Sequence, residues 1–288
     1  MWNRQSIITY KPVNMNKLLF FAACLALAAC QDQSSMPMCH DPNAEFARFA
    51  SDQAFRDAHP APRPVAVNNA GKNVEFPVKG GANGRGYLVK ANARTDQYLL
   101  LFHEWWGLND YIRNETATWA HELNINVLAV DLYDGKVASS ADEAGKLMQA
   151  CDAARARAII QGAAKYAGKR ADFRTMGWCF GGGWSLQAAL ALGKKSKACV
   201  MYYGMPEKDR EKLKTLSTDV LLIHAKKDKW INDEVVEEFK KNMAAADKSV
   251  IVKEYDADHA FANPSSPRYN EPAAQEARAA VKAYLAGK

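Results

Sequence analysis

From Tyr98 onward, short apolar runs alternate with longer amphipathic stretches. The runs Tyr98 to His103, Val127 to Asp131, Phe173 to Cys179, Ala198 to Tyr203, Val220 to His224 and Val250 to Tyr255 have the composition and length of β-strands. Between them, Asn109 to Leu123, Ala141 to Ala167, Asp233 to Ala245 and Ala273 to Leu285 are rich in Ala, Leu, Lys and Glu and predict helices. Alternation of this kind predicts the α/β class: a mainly parallel sheet with helices on both faces, receiving ligands at the carboxyl ends of its strands. Upstream, Val74 to Val78 and Gly86 to Val89 flank a Gly- and Asn-rich turn and predict a β-hairpin. The chain contains no internal repeat and no low-complexity segment.

The first residues follow a different pattern. Lys17 precedes an apolar run, Leu18 to Ala29, that is too short for a membrane anchor and suits the hydrophobic region of a secretory signal. It ends in Leu27-Ala28-Ala29-Cys30, which resembles a bacterial lipobox and implies lipidation of Cys30; Gln31 after it implies sorting to the outer membrane, facing the periplasm. Without lipid, the same signal would secrete the chain to the periplasm. Residues 1–29 are thus expected to be a signal peptide, 30–67 a tether with a short helical arm and a Pro-rich linker, and 68–288 the catalytic domain. In the arm, Asp41 is placed to cap a short helix. Its Phe46, Phe49 and Phe55 lie near helical spacing and predict packing on the domain, before His59-Pro60-Ala61-Pro62 forces an extended linker.

Composition narrows the function classes. Loss of Arg4, Lys11 and Lys17 with the signal, and of no acid, lowers the formal charge from +6 to about +3. Basic residues are dispersed and lack aromatic interleaving, so no nucleic-acid partner is expected. A hydrophobic fraction of 48% suffices for one sizeable core, and a monomer is expected.

The candidate chemistry centres on Gly177-Trp178-Cys179-Phe180-Gly181, where a predicted strand runs straight into a helix-forming segment. This is the G-x-nucleophile-x-G pattern of a nucleophile elbow. Gly177 and Gly181 lack side chains so that strand and helix can approach, and Cys179 is thrust into a cleft at the positive end of a helix dipole, which favours thiolate. Partners are sought in loops after later strands, in the order nucleophile, acid, histidine. Asp228 follows the Val220 run and His259 follows the Val250 run, so both fit. His259 would take the thiol proton while Asp228 fixes its tautomer. The backbone N–H groups of Phe180 and Trp105 would form an oxyanion hole. Trp106, Trp178, Trp230 and Tyr133 predict an aromatic substrate pocket. His103 and His224, at strand ends, and His121, on a helix, are read as packed or supporting residues. No metal site is expected, because His103-Glu104-Trp105-Trp106-Gly107 lacks the second His of H-E-x-x-H and Cys39-His40 has no matching ligands; no cofactor is expected either. A disulfide between Cys39 and Cys151 would suit an oxidising compartment, although two separate thiols are the simpler expectation.

Gly-Trp-Cys-Phe-Gly-Gly at 177–182, Glu-Trp-Trp-Gly-Leu-Asn at 104–109, Asp131-Leu132-Tyr133, Tyr202-Tyr203-Gly204, Asp228 and His259-Ala260-Phe261 together resemble the dienelactone hydrolase family of α/β hydrolases, over residues 72–286. The resemblance implies the α/β-hydrolase fold and a triad of Cys179, Asp228 and His259. It further implies a Glu104 that engages the resting thiol, and ester or lactone hydrolysis through an acyl-cysteine. The family's arginines for a substrate carboxylate are replaced by the Asp134-Gly135-Lys136 segment and Asn263, so its namesake substrate does not carry over. The expected function is therefore cleavage of a small carboxylic ester, thioester or lactone. The alternatives are a noncatalytic lipid-anchored binding protein using the same cleft and a thiol redox protein, the latter disfavoured because Cys179 has no C-x-x-C partner.

Overall fold

A computed structural model describes residues 41–67 and 69–288. The expected signal peptide, Cys30 and Cys39 lie outside the described residues, while Cys151 carries a free thiol. No helix of the described residues is long and apolar enough to cross a membrane.

The sheet holds β1 (Lys72–Phe76), β2 (Gly84–Val89), β3 (Gln97–Phe102), β4 (Asn126–Asp131), β5 (Asp172–Trp178), β6 (Ser196–Tyr202), β7 (Val220–Ala225) and β8 (Val250–Tyr255). Their order across the sheet is β1-β2-β4-β3-β5-β6-β7-β8. The predicted hairpin is there, with Lys72 opposite Leu88 and Phe76 opposite Gly84, and β2 runs antiparallel to β4 as well. Every other pairing is parallel. Among the interior strands, β4 and β7 are buried at each position, as expected for a sheet covered on both sides, whereas the edge strand β8 is only half-buried. On β6 the alternation sorts the core: Ala198, Val200 and Tyr202 join the larger apolar cluster, Cys199 and Met201 the smaller one on the opposite face.

The helices are α1 (Pro42–Arg48), α2 (Gln53–Ala58), α3 (Asp110–Leu123), α4 (Ala141–Gln149), α5 (Ala153–Ala167), α6 (Phe180–Leu192), α7 (Arg210–Lys214), α8 (Asp233–Ala245) and α9 (Glu271–Ala286). The single helix expected over 141–167 is two. Asp152 folds its carboxylate onto the N–H of Arg155, at 2.7 Å, and so starts a new helix where the sequence pattern alone runs through. The short α7 went unpredicted; Asp209 caps it by accepting from Glu211 and Lys212. Asp41 caps α1 as expected, with Pro42 in the first turn, where its missing N–H costs nothing. Phe46 and Phe55 are fully buried against the domain, and Phe49 packs beside them.

Strands β3 and β5 are neighbours although β4 follows β3 in the chain, so the connections leave in opposite directions at this point. Such a switch point opens a crevice at the strands' carboxyl ends. The loop after β3 carries His103 to Trp106, the end of β5 carries Cys179, and the loops after β7 and β8 carry Asp228 and His259. Helix α6 leaves that crevice through the middle of the molecule, apolar on all sides and buried over Phe180 to Ala189.

Two glycines permit the approach of β5, α6 and β3. A Cβ on Gly177 would lie 2.1 Å from the carbonyl oxygen of Gly181, and one on Gly181 would lie 2.2 Å from that of Phe102. These are backbone atoms of a central strand and helix and have no room to retreat. Gly181→Ala is expected to destabilise the fold by roughly 3 kcal/mol, the upper end of overpacking costs, read as a lowered urea midpoint with an unchanged slope.

Candidate active site

Cys179 stands at the corner between β5 and α6 with φ 57° and ψ −121°, a conformation that side chains other than hydrogen rarely adopt. Its N–H donates to the carbonyl of Tyr202 at 3.0 Å and its own carbonyl accepts from Gly182, so both neighbouring elements hold the strained residue in place. The N–H of Phe180, the first residue of α6, has no helical acceptor to turn to.

His259 and Asp228 come together although 31 residues separate them. Nδ1 of His259 donates to Oδ2 of Asp228 at 2.5 Å. Oδ1 of Asp228 accepts from the N–H groups of Trp230, at 2.9 Å, and Ile231, at 3.0 Å, which fixes the carboxylate before the imidazole arrives. Burial works against the charged carboxylate of Asp228, yet His259 and those two N–H donors hold its pKa below the ordinary value. Burial likewise works against an imidazolium at His259, but Asp228 and, once it is a thiolate, Cys179 override it and raise the pKa to about 10, so a proton passed from the thiol is held on the ring. The Cys179 Sγ and a ring nitrogen of His259 lie within 4.8 Å of each other.

A third side chain shares this space. His59, at the end of the arm, lies with a ring nitrogen within 4.8 Å of both the Cys179 Sγ and a nitrogen of His259. Its ring centre is 4.9 Å from that of His259, and it is only 5% exposed. Burial and the neighbouring His259 push its pKa down to about 3, so it is neutral at physiological pH. Phe46 stacks over His259 and Phe55 meets it edge-on, so the arm roofs the site; Cys179 and His259 are each 1% exposed. His59 is not singled out by the sequence pattern, although it lies four residues beyond Phe55, at the C-cap of α2 and directly before Pro60.

The loop after β3 is pinned by His103. Its Nδ1 donates to the carbonyl of Glu104 at 2.6 Å and its Nε2 accepts from the N–H of Leu132 at 3.1 Å, so the ring is neutral and ties β3 to the end of β4. Glu104 is buried, and its Oε2 accepts from Asn263 Nδ2 at 2.6 Å. Asn263 in turn accepts from the N–H and hydroxyl of Ser265. Asn263 is thus an internal brace for Glu104. Burial raises the Glu104 pKa from 4.5 to about 7, against the lowering effect of Asn263.

The folded chain therefore binds the Glu104 proton more tightly than the unfolded chain does. Stability contributed by this group falls as pH rises from about 4.5 through about 7, by about 3 kcal/mol in all. Glu104→Gln keeps an acceptor for Asn263 and removes the titration. Its melting temperature, relative to that of the parent chain, is expected to climb across that window; a constant difference would exclude the linkage.

The predicted pocket aromatics part company. Trp230 meets Phe55 and His59 in the roof, and Trp105 packs against the same two rings and against Trp106. Tyr133 packs instead against His103 and Phe180, with tilted rings. Trp178 packs on Tyr111 and Tyr202 and lines a separate cavity of about 110 Å³ with Glu115 and Arg278, because successive residues of β5 point to opposite faces. His224 is buried, with Nε2 against the carbonyl of Ile231 at 3.1 Å, a packing role.

Comparison with known proteins agrees with this architecture. A model of the dienelactone hydrolase family matches residues 85–287. A "Putative carboxymethylenebutenolidase" of Aquifex aeolicus is 28% identical over 205 residues, covering 67% of this chain and 87% of its own. "Protein usf" of Aquifex pyrophilus is 29% identical with the same coverage. Among solved structures, a dienelactone hydrolase-like promiscuous phosphotriesterase from metagenomic libraries superposes with a TM-score of 0.65 at 20% identity, over 76% of this chain and 99% of its own, a likeness of fold. The arm that carries His59 precedes the matched residues. The chain belongs to the dienelactone hydrolase family and is a carboxylic ester hydrolase of the α/β-hydrolase fold.

Proposed function

We propose that Cys179, His259 and Asp228 act as nucleophile, general base and orienting acid in the cleavage of a small carboxylic ester, thioester or lactone. The observation that carries this reading is the 2.5 Å bond from His259 to Asp228 beside a cysteine held at a strained strand-to-helix corner. The Sγ attacks the carbonyl carbon as His259 removes the thiol proton, and the oxyanion is received by the N–H groups of Phe180 and Trp105. Collapse expels the alkoxide or thiolate, which takes the proton from His259 and leaves an acyl-cysteine. Water, deprotonated by the same ring, then releases the carboxylic acid and restores the thiol. Once ionised, Glu104, whose charge is felt at His259, would oppose premature thiolate formation.

Substrate reaches the sulfur only when the arm shifts, because Phe46, Phe55 and His59 cover His259. The rings of Phe55, Trp105 and Trp230 suit an apolar acyl or alcohol part. A burst of p-nitrophenol from p-nitrophenyl acetate is expected, with the acetyl mass recovered on the Cys179 peptide. Steady release without an adduct, or no release from any activated ester or lactone, would defeat the acyl-cysteine. On the motif Leu27-Ala28-Ala29-Cys30 we further propose an envelope lipoprotein. Mass spectrometry of its N-terminal peptide should find a diacylglyceryl group on Cys30.

A further inference from the structure

Beyond hydrolysis, the arm brings a third soft ligand to the nucleophile and base. His59 Nδ1 lies 2.6 Å from the carbonyl of Phe55, an oxygen that can only accept, so this nitrogen carries the proton. His59 Nε2 is left with a lone pair and no partner, in a residue 5% exposed. His259 repeats the arrangement: Nδ1 donates to Asp228, and the buried Nε2 is left to the Cys179 thiol. Two imidazoles, each oriented through Nδ1 by a carbonyl or a carboxylate, thus converge on one thiol, with the ligand atoms within 4.8 Å of one another. Histidines that bind metals are oriented in this way, by an acceptor on the nitrogen that does not bind.

We propose that His59, Cys179 and His259 form a three-ligand site for zinc, which latches the arm over the catalytic thiol. Nitrogen and sulfur donors suit a borderline-soft cation without a strong geometric preference, and calcium or magnesium would find no oxygen ligands among the three. Three atoms no more than 4.8 Å apart have a common point within about 2.8 Å of each, against bond lengths of about 2.0–2.3 Å, so each side chain needs to move by under about 1 Å. As the zinc–sulfur bond forms, the thiol proton leaves to solvent; the charge of the ion is then offset by the thiolate and, behind His259, by Asp228. A fourth position remains for water. Because the metal takes both the sulfur and the nitrogen lone pair that would serve as base, it blocks hydrolysis. That consequence rests on the proposed triad, whereas binding itself does not. His59 precedes the residues that match the family, so the latch is a property of this chain's arm.

The test uses the untagged full chain, stripped with a chelator and titrated with zinc chloride in competition with a chromophoric chelator. One equivalent is expected to bind. His59→Phe keeps an aromatic ring among Phe55, Trp105 and Trp230 and removes the lone pair; it should weaken zinc by on the order of 100-fold, at least the loss that follows removal of an outer partner. Cobalt in place of zinc should give a thiolate charge-transfer absorption that vanishes in Cys179→Ser. Stoichiometric zinc should also stop p-nitrophenyl acetate hydrolysis, and the chelator should restore it. Absence of one-to-one binding, equal affinity in His59→Phe, or a zinc-loaded chain that hydrolyses at the original rate would each overturn the latch. Hydrolysis that never depended on Cys179 would defeat the triad instead, and the zinc and cobalt titrations would still decide the site.

Discussion

Cys179→Ala is expected to lower kcat/KM for p-nitrophenyl acetate by on the order of 10⁴-fold or more, while the urea midpoint stays close to that of the parent chain. The substitution removes the only atom in the site proposed to bond with the acyl carbon. It leaves in place the N–H contact to Tyr202, the 57° φ and the start of α6, since alanine carries the same Cβ in the same backbone. Loss of sulfur in a buried corner is a small change of packing. Chemistry and stability therefore separate in this variant. Activity retained within about tenfold would mean that another nucleophile does the work, and an acetyl mass on a different peptide would identify it.

Asp228→Asn should cost nearly as much, on the order of 10⁴-fold in the acylation rate, for a different reason. The amide oxygen can still accept from Trp230 and Ile231, so the loop after β7 keeps its shape. The NH₂ group then faces His259 Nδ1, where an acceptor stood. The ring is driven to the tautomer with its proton on Nε2 and cannot take the thiol proton from Cys179. Stopped-flow measurement of p-nitrophenol release isolates this step from the later hydrolysis. A loss confined to the second, deacylating phase would show that the aspartate does not set the tautomer during attack.

The value near 7 for Glu104 and the brace from Asn263 bear on the same step. In the folded chain Glu104 is a neutral acid below about pH 7 and a buried anion above it. The charge it presents to His259 therefore changes with pH, while His103 and Asn263 keep it in position.

Much of this was legible from residue order. Strand and helix alternation is a local property, and six strands fell within two residues of their expected ends because apolar runs and charged helices differ in composition over short windows. The elbow was legible for a related reason: glycines on both sides of a cysteine at a strand end have few other uses. Asp228 and His259 were found by combining order with loop position, and their 2.5 Å bond joins the two. Where the pattern misled, a capping side chain was responsible. Asp152 breaks the long helix, and Asp209 starts a short one, through side-chain hydrogen bonds to the backbone that periodicity does not record.

The sequence by itself determined the sheet, the corner that strains Cys179 and the identity of the groups that follow β7 and β8, because each depends on neighbours a few residues away. Tertiary structure alone decided what covers the corner. Phe46, Phe55 and His59 reach His259 across 200 residues of chain, and Asn263 reaches Glu104 across 159. Such contacts come from burial of aromatic and polar surface between distant segments, which favours whichever complementary face is at hand. Trp178 illustrates the same division: its place beside the nucleophile is written in the sequence, but the strand's pleat sends its ring to the other side of the sheet.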